Sequence, residues 1–302
     1  MIPHLRLILP LGTAILIASC QGSGAPAAGV PASTQDTDAP RDAEQPANGS
    51  GARLSVTVPA APPSPEGSEP AAPSAGDSAE RPQTRPEAAV KRYRINPNSY
   101  DVKPVEGSGA PAQAVLLTFD DGPKDKGVLT SLLDTLDRHK AKAIFFVNGY
   151  RVKQKPELLK LIHERGHAIG NHSWDHVDLK KEDPETVKRQ LLDVQKQVQS
   201  LTGEAPRFFR PPFGSGSDTV RAEAKTNRLL YMTWSNGSKD WEMTTQKNDP
   251  QKVVTNVLEQ LRPGSNILMH ELPWTAEALD PLLTRLAGLG YHFADPAEIL
   301  SE

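Results

Sequence analysis

From residue 114 onward, short apolar runs alternate with helical patterns, and that alternation restricts the chain to a parallel α/β domain. Residues 114–119 (AVLLTF) read as a buried strand. Over 126–140, Leu129, Leu132, Leu133 and Leu136 recur at i, i+3, i+4 and i+7, which predicts an amphipathic helix. A second strand is expected at Ala143–Val147, a second helix at 156–165 ended by Gly166, and a third strand at 168–169. Asp183 and Pro184 open a long helix as N-cap and first helical residue, and Gly203 closes it after Thr202. Further strands are expected at 207–209, 230–234, 266–269 and 291–294, with helices between them. No sequence repeat recurs at a fixed period.

The rest of the chain has nothing to build a second core from. All 16 aromatic residues lie at Tyr93 or later. Ala, Pro, Ser and Gly fill 43 of the 70 residues from 21 to 90, too little apolar surface to offset the entropy of ordering them. This stretch is expected to be a disordered tether. Charge divides in the same place: nine acids and four bases over 21–90, against 28 acids and 29 bases over 91–302. A near-neutral domain behind an acidic leader has no electrostatic footprint for nucleic acid.

At the front, Arg6 precedes an apolar run from Leu7 to Ala18. Twelve residues are too few to cross a bilayer core, which needs roughly 20, but they suit a secretory signal. Ile17-Ala18-Ser19-Cys20 resembles a bacterial lipobox, in which the cysteine is lipidated and becomes the first mature residue. Cys20 is also the chain's single cysteine, which excludes an intrachain disulfide and a cysteine zinc site. The expected organisation is a signal over 1–19 ending at Cys20, a tether over 20–92, a lead-in over 93–112 and a catalytic domain over 113–302.

Polar clusters follow the apolar strands. Asp120-Asp121 ends the first, Asn171–His176 follows the third, Arg210 the next, Asp240-Trp241 comes after Trp234, and His270 ends the run at 266–269. In a β/α barrel the carboxyl ends of the strands form the rim where catalytic groups collect. His172 and His176 are four apart, so on a helical turn both imidazoles would point the same way. With a carboxylate they make a three-ligand face that leaves positions open for water and substrate. Asp120 and Asp121 are neighbours, so on an extended chain their side chains diverge and need not share a task. His139, His163, His167 and His292 read as ordinary surface or core histidines.

The segments Thr118-Phe119-Asp120-Asp121-Gly122-Pro123, His172-Ser173-Trp174-Asp175-His176, Arg210-Pro211-Pro212-Phe213-Gly214, Asp240-Trp241 and Leu268-Met269-His270 resemble, in order, the five motifs of polysaccharide deacetylases, the NodB-homology domains of carbohydrate esterase family 4. The resemblance spans about 113–300. It implies a distorted (β/α) barrel and metal-dependent hydrolysis of N-acetyl groups. It makes Asp121 a metal ligand beside His172 and His176, Asp120 the general base and His270 the acid, with Asp240 to pair with His270. It further implies that Arg210 holds the base, that the backbone N–H of Phe213 donates to the oxyanion, and that Trp241 and Leu268 wall the acetyl pocket. The donor set suits zinc, while cobalt, nickel or manganese would also fit. The expected substrate is N-acetylglucosamine in peptidoglycan, with chitin oligomers, poly-N-acetylglucosamine and acetylxylan as rivals. A non-catalytic wall-binding lipoprotein is the alternative of another class. The expected location is outside the cytoplasm, lipid-anchored through Cys20 and facing the cell wall or periplasm. Three positions depart from the family pattern: Gly237 where another Asp is usual, Phe213 where Tyr is common, and Glu271 where Asp usually follows the motif-five His.

Overall fold

The structure is a computed structural model that describes residues 90–301. The readings of the signal, the lipobox with Cys20, and all but the last three tether residues therefore lie outside the described residues.

The first elements are a short antiparallel hairpin, β1 (Tyr93–Ile95) and β2 (Val102–Pro104). The α/β alternation then runs β3 (Ala114–Gly122), α1 (Lys126–Arg138), β4 (Ala143–Val147), α2 (Gly149–Gln154), α3 (Pro156–Glu164), β5 (Ala168–Asn171) and α4 (Pro184–Thr202). It continues with β6 (Phe208–Phe209), α5 (Asp218–Thr226), β7 (Leu230–Tyr231), β8 (Asn236–Gly237), α6 (Pro250–Glu259), β9 (Asn266–His270), α7 (Pro273–Gly288) and β10 (His292–Phe293).

The main sheet is parallel with the order β7-β6-β5-β4-β3-β9-β8, and β10 pairs with the start of β3. Its two edge strands, β7 and β8, are consecutive in the chain and separated by only four residues, so the sheet curls toward closure. This is the distorted barrel expected from the motifs.

The two-residue period of a strand sorts the side chains into two layers. Val115, Leu117 and Phe119 of β3, with Phe145, Val147, Ile267 and Met269, pack outward against α1, α3, α6 and α7. Leu116, Ile144, Phe146 and Phe208 point the other way and form an inner cluster with Met232 and with Tyr93, Ile95 and Val102 of the hairpin. Because Asp120 is in step with Leu116 and Thr118, and His270 with Asn266 and Leu268, the same period turns both toward the barrel interior.

Two local expectations are corrected. The segment from His172 to His176 is not a helical turn. Ser173 and His176 take φ values of 67° and 57°, outside the right-handed helix. Its N–H groups are satisfied by side chains instead: Asn171 Oδ1 accepts from Ser173, and Gln190 Oε1 accepts from Trp174 and Asp175. The strand expected at 230–234 ends at Tyr231, because Met232–Ser235 crosses between the sheet edges. Met232 N–H donates to Phe209 O on one side and Ser235 N–H to Asn266 O on the other. Asp240 thus follows β8, a strand the sequence pattern did not reveal.

Candidate active site

Asp120 is the last inward residue of β3, and Arg210, fully buried after β6, reaches across to hold it. Arg210 Nη1 donates to Asp120 Oδ1 at 2.7 Å and to Thr118 Oγ1 at 2.9 Å. Its Nη2 donates to Thr233 O at 2.8 Å, and the guanidinium stacks 4.3 Å over the Phe146 ring. An arginine wedged in this way fixes one oxygen of the carboxylate in a charge-assisted pair. Asp120 Oδ2 is left facing His172 Nε2 at 3.7 Å.

One residue on, Asp121 takes φ 66°, which turns its carboxylate away from that of Asp120 and toward the two histidines. Its Oδ1 lies 3.0 Å from His176 Nε2 and 3.4 Å from His172 Nε2, yet it is buried without a well-formed hydrogen bond. One ligand atom from each of Asp121, His172 and His176 lies within 4.8 Å of the others. His172 Nδ1 is 2.7 Å from Arg210 O. A carbonyl can only accept, so Nδ1 carries the proton and Nε2 keeps its lone pair for a cation. Burial opposes ionisation of Asp121, but the two imidazoles and Lys124 more than offset it and hold the carboxyl well below the usual carboxylate range. A half-buried carboxylate whose Oδ1 is buried and orphaned, beside two imidazole nitrogens, fits a divalent metal bound by one oxygen and two nitrogens.

Opposite this group, Asp240 is fully buried and its carboxylate is fully used. Oδ1 is 2.8 Å from His270 Nδ1, while Oδ2 accepts from His270 N–H and from Thr275 Oγ1–H, each at 2.7 Å. Burial works against a charged His270, and the Asp240 carboxylate, aided by Asp120 and Asp121, reverses the balance and raises its pKa above the usual imidazole value.

Asp120, Asp121, His172, His176 and His270 open into one cavity of about 360 Å3, walled by Phe213, Trp234, Trp241 and Leu268. Phe213 (φ 60°, 65% exposed) packs edge-on against His176 at 4.8 Å, and Trp241 (43% exposed) packs edge-on against His270 at 5.6 Å. Every site residue expected from the sequence except Cys20 is therefore at this rim, with Arg210 and Asp240 buried behind it. Trp234 and Thr275 were missed. Trp234 was absorbed into an apolar run, and a threonine on an amphipathic helix carries no signal of its own.

Two of the three departures have local explanations. A Cβ at Gly237 would lie 3.1 Å from Trp241 Cη2, so the missing side chain leaves room for the indole. Glu271 is buried, and its Oε1 accepts from the N–H groups of Lys124 at 2.7 Å and Asp125 at 2.6 Å, tying the loop after Asp121 to the end of β9. The ring of Phe213 is the most exposed wall of the cavity and carries no hydroxyl.

The polysaccharide deacetylase family profile matches residues 107–232. The chain is 39% identical over 189 residues to the peptidoglycan-N-acetylglucosamine deacetylase PgdA of Listeria monocytogenes, covering 62% of this chain and 39% of that one. It thus spans about two fifths of PgdA's length. It is 35% identical over 194 residues to the peptidoglycan-N-acetylmuramic acid deacetylase PdaA of Bacillus subtilis, covering 63% of this chain and 72% of that one. Among solved structures it resembles wild-type BA3943 of Bacillus anthracis, a pseudoenzyme of carbohydrate esterase family 4, with a TM-score of 0.56 and 30% identity over 59% of this chain and 62% of that one. Fold likeness thus extends to a pseudoenzyme, and whether this chain turns over substrate has to be read from its side chains. With the five motifs gathered at one rim, the barrel beneath them, and the extent of the match to PdaA, the chain belongs to the polysaccharide deacetylases.

Proposed function

We propose that the chain removes N-acetyl groups from N-acetylglucosamine residues of a cell-envelope polysaccharide, peptidoglycan foremost. One divalent metal, zinc by the chemistry of its donors, would be held by Asp121, His172 and His176. When bound, such a metal supplies Lewis acidity and makes water easier to deprotonate. The remaining steps belong to the protein. Asp120, oriented by Arg210, takes a proton from the attacking water. His270, held by Asp240, gives a proton to the departing amine nitrogen. Phe213 N–H donates to the oxyanion, and Trp241 and Leu268 enclose the acetyl methyl. The observation that carries the reading is the common cavity, where the Asp/His/His group and Asp120 share the space with a histidine paired to a buried carboxylate. PgdA and PdaA act on peptidoglycan, as their names state, which supports that polymer over chitin or xylan. A domain tethered by residues 20–92 from a lipidated Cys20, outside the cytoplasm, would suit a polymer fixed near the membrane.

The likeness to BA3943 favours a second reading, a wall-binding protein without turnover. The complete Asp120, Asp121, His172, His176, Arg210, Asp240 and His270 set speaks against it. Acetate release from purified peptidoglycan, chitin oligomers and acetylxylan decides between them. The expected result is release that is strongest on peptidoglycan, abolished by a chelator and restored by zinc, with His172→Ala losing metal and activity together. A metal-replete protein that releases acetate from none of the three would establish the second reading.

A further inference from the structure

A second groove, of about 490 Å3, lies between α5 and the β1–β2 hairpin. Arg221 and Lys225 of α5 and Arg228, two residues past its end, line it and are exposed, and no carboxylate is among its lining residues. Asp218, in the first turn of α5, acts on Arg221, and Glu223, between Arg221 and Lys225 in the sequence, accepts from Asn227 Nδ2. Because the folded part of the chain is nearly neutral, three basic side chains lining one groove with no carboxylate in its lining make a local positive field.

The floor of the groove is aromatic. Arg221 lies 4.1 Å over the Tyr231 ring and its Nη1 donates to Tyr100 Oη at 3.2 Å. The two rings are 6.2 Å apart and tilted by 46°. Tyr100 is held at φ 58°, an unfavourable region for a bulky residue. Its N–H donates to Asn96 O at 2.8 Å and its carbonyl accepts from Asn266 Nδ2 at 3.2 Å. Tyr231 Oη is buried without a hydrogen-bond partner. One short loop borders both grooves: Gly214 abuts Trp234 of the catalytic cavity, and Gly216 abuts Tyr231 here.

We propose that this groove binds a second stretch of the substrate polymer through the carboxylates of its peptide stems. The claim rests on the reading of peptidoglycan as substrate. Stem carboxylates meet Arg221, Lys225 and Arg228, while the apolar and aromatic lining of the groove takes sugar and methyl surfaces. Neutral glycans such as chitin carry no anion to engage the cations, so the groove would favour peptidoglycan through binding and leave the chemistry at the rim unchanged.

The test is the double variant Lys225→Glu/Arg228→Glu in the full chain, since neither side chain is placed in the catalytic machinery. Co-sedimentation with insoluble peptidoglycan is measured alongside KM and kcat on peptidoglycan and on a neutral N-acetylglucosamine oligomer. At low salt, binding should weaken and KM on peptidoglycan should rise about tenfold with kcat unchanged, and both differences should shrink near about 0.5 M salt. Turnover of the neutral oligomer should stay at the wild-type level. Wild-type binding and KM in the variant would overturn the proposal, as would an equal loss on the neutral oligomer. If the wild type deacetylates the neutral oligomer but not peptidoglycan, the proposed substrate is wrong, and the sedimentation arm still judges the groove by itself.

Discussion

As the proposed acid, His270 carries a burden that its burial alone would defeat. An imidazole removed from water loses its proton more easily, so without a partner His270 would be neutral at working pH and unable to act as an acid. Burial does pull its pKa down, and the Asp240 carboxylate, 2.8 Å from Nδ1, pulls it back past the ordinary value. The alkaline limb of the pH–rate profile should then lie above the usual imidazole range of about 6.5. In Asp240→Asn the raising interactions are mostly lost while burial stays, so the limb should move to lower pH with metal content unchanged. His270→Ala should cost on the order of 10²–10⁴ in kcat. The pair should also show in stability. For a raised histidine pKa, the contribution is complete below the unfolded value and fades as pH rises through the folded one, so the Tm gap between wild type and Asp240→Asn should narrow toward alkaline pH. A profile for Asp240→Asn that superimposes on wild type would remove Asp240 from this role. Residue identity was the most legible level, because a carboxylate pair, a histidine pair and a lone histidine each follow an apolar run. Where the carboxylate oxygens point was not legible, since φ 66° at Asp121 is fixed by contacts made after folding.

At the scale of elements, local rules did well wherever an element carries its own signal. Asp183 caps α4 by accepting from Thr186 N–H, and Gly203 ends it at φ 82°, as the sequence pattern predicts. β3, β4 and β9 are mostly apolar runs, and those of β3 and β9 end in Asp120-Asp121 and His270. β8 escaped notice because two residues, Asn236-Gly237, look like a turn, and only pairing with Ile267 and Leu268 makes them a strand. The His172–His176 loop escaped because Gln190, on a helix far along the chain, satisfies its N–H groups. The junction of β4 and β5 holds a further histidine with a measurable consequence. His167, read as an ordinary histidine, is 4% exposed; its Nδ1 accepts from Ala143 N–H at 3.3 Å, and its Nε2 has no partner. Burial first, and then Lys142, push its pKa down to about 4. A depressed histidine pKa means that the unfolded chain binds the proton more readily. Stability is therefore complete above about pH 6.5 and is lost as pH falls toward 4, by about 3 kcal/mol at most. His167→Gln keeps an acceptor for Ala143 N–H and does not titrate. Its Tm should fall less than that of wild type between these pH values, with metal held constant. Parallel Tm–pH curves would refute the assignment.

The molecule as a whole is more than the stretch that carries the family motifs. The family profile begins at residue 107, and every residue of the catalytic cavity lies after that point, so a fragment from 107 onward would hold the whole cavity. The packing argues otherwise. Tyr93, Ile95 and Val102 of the hairpin are 2%, 7% and 1% exposed, and they share the inner cluster with Leu116, Ile144, Phe146 and Phe208. Phe146 in turn carries Arg210, and Arg210 holds Asp120, so three contacts link the hairpin to the proposed base. The hairpin also fastens the far end of the chain: Arg92 N–H donates to Glu298 O, and Leu300 N–H donates to Tyr93 O. Burying three side chains of this size contributes about 5–8 kcal/mol, comparable with the whole stability of an ordinary domain at about 5–15 kcal/mol. Two shortened chains separate the possibilities. One covering residues 91–302 keeps the hairpin and should match the full chain in Tm and in turnover of a soluble neutral oligomer. One covering residues 107–302 should melt many degrees lower or fail to fold, and what remains soluble should lose turnover because Phe146 and Arg210 lose their support. A 107–302 chain that melts within a few degrees of the longer one would show that the hairpin is an accessory to the barrel and not part of its core. If the 91–302 chain instead folds but loses turnover on a soluble oligomer, the segment ahead of it takes part in catalysis and is more than a tether.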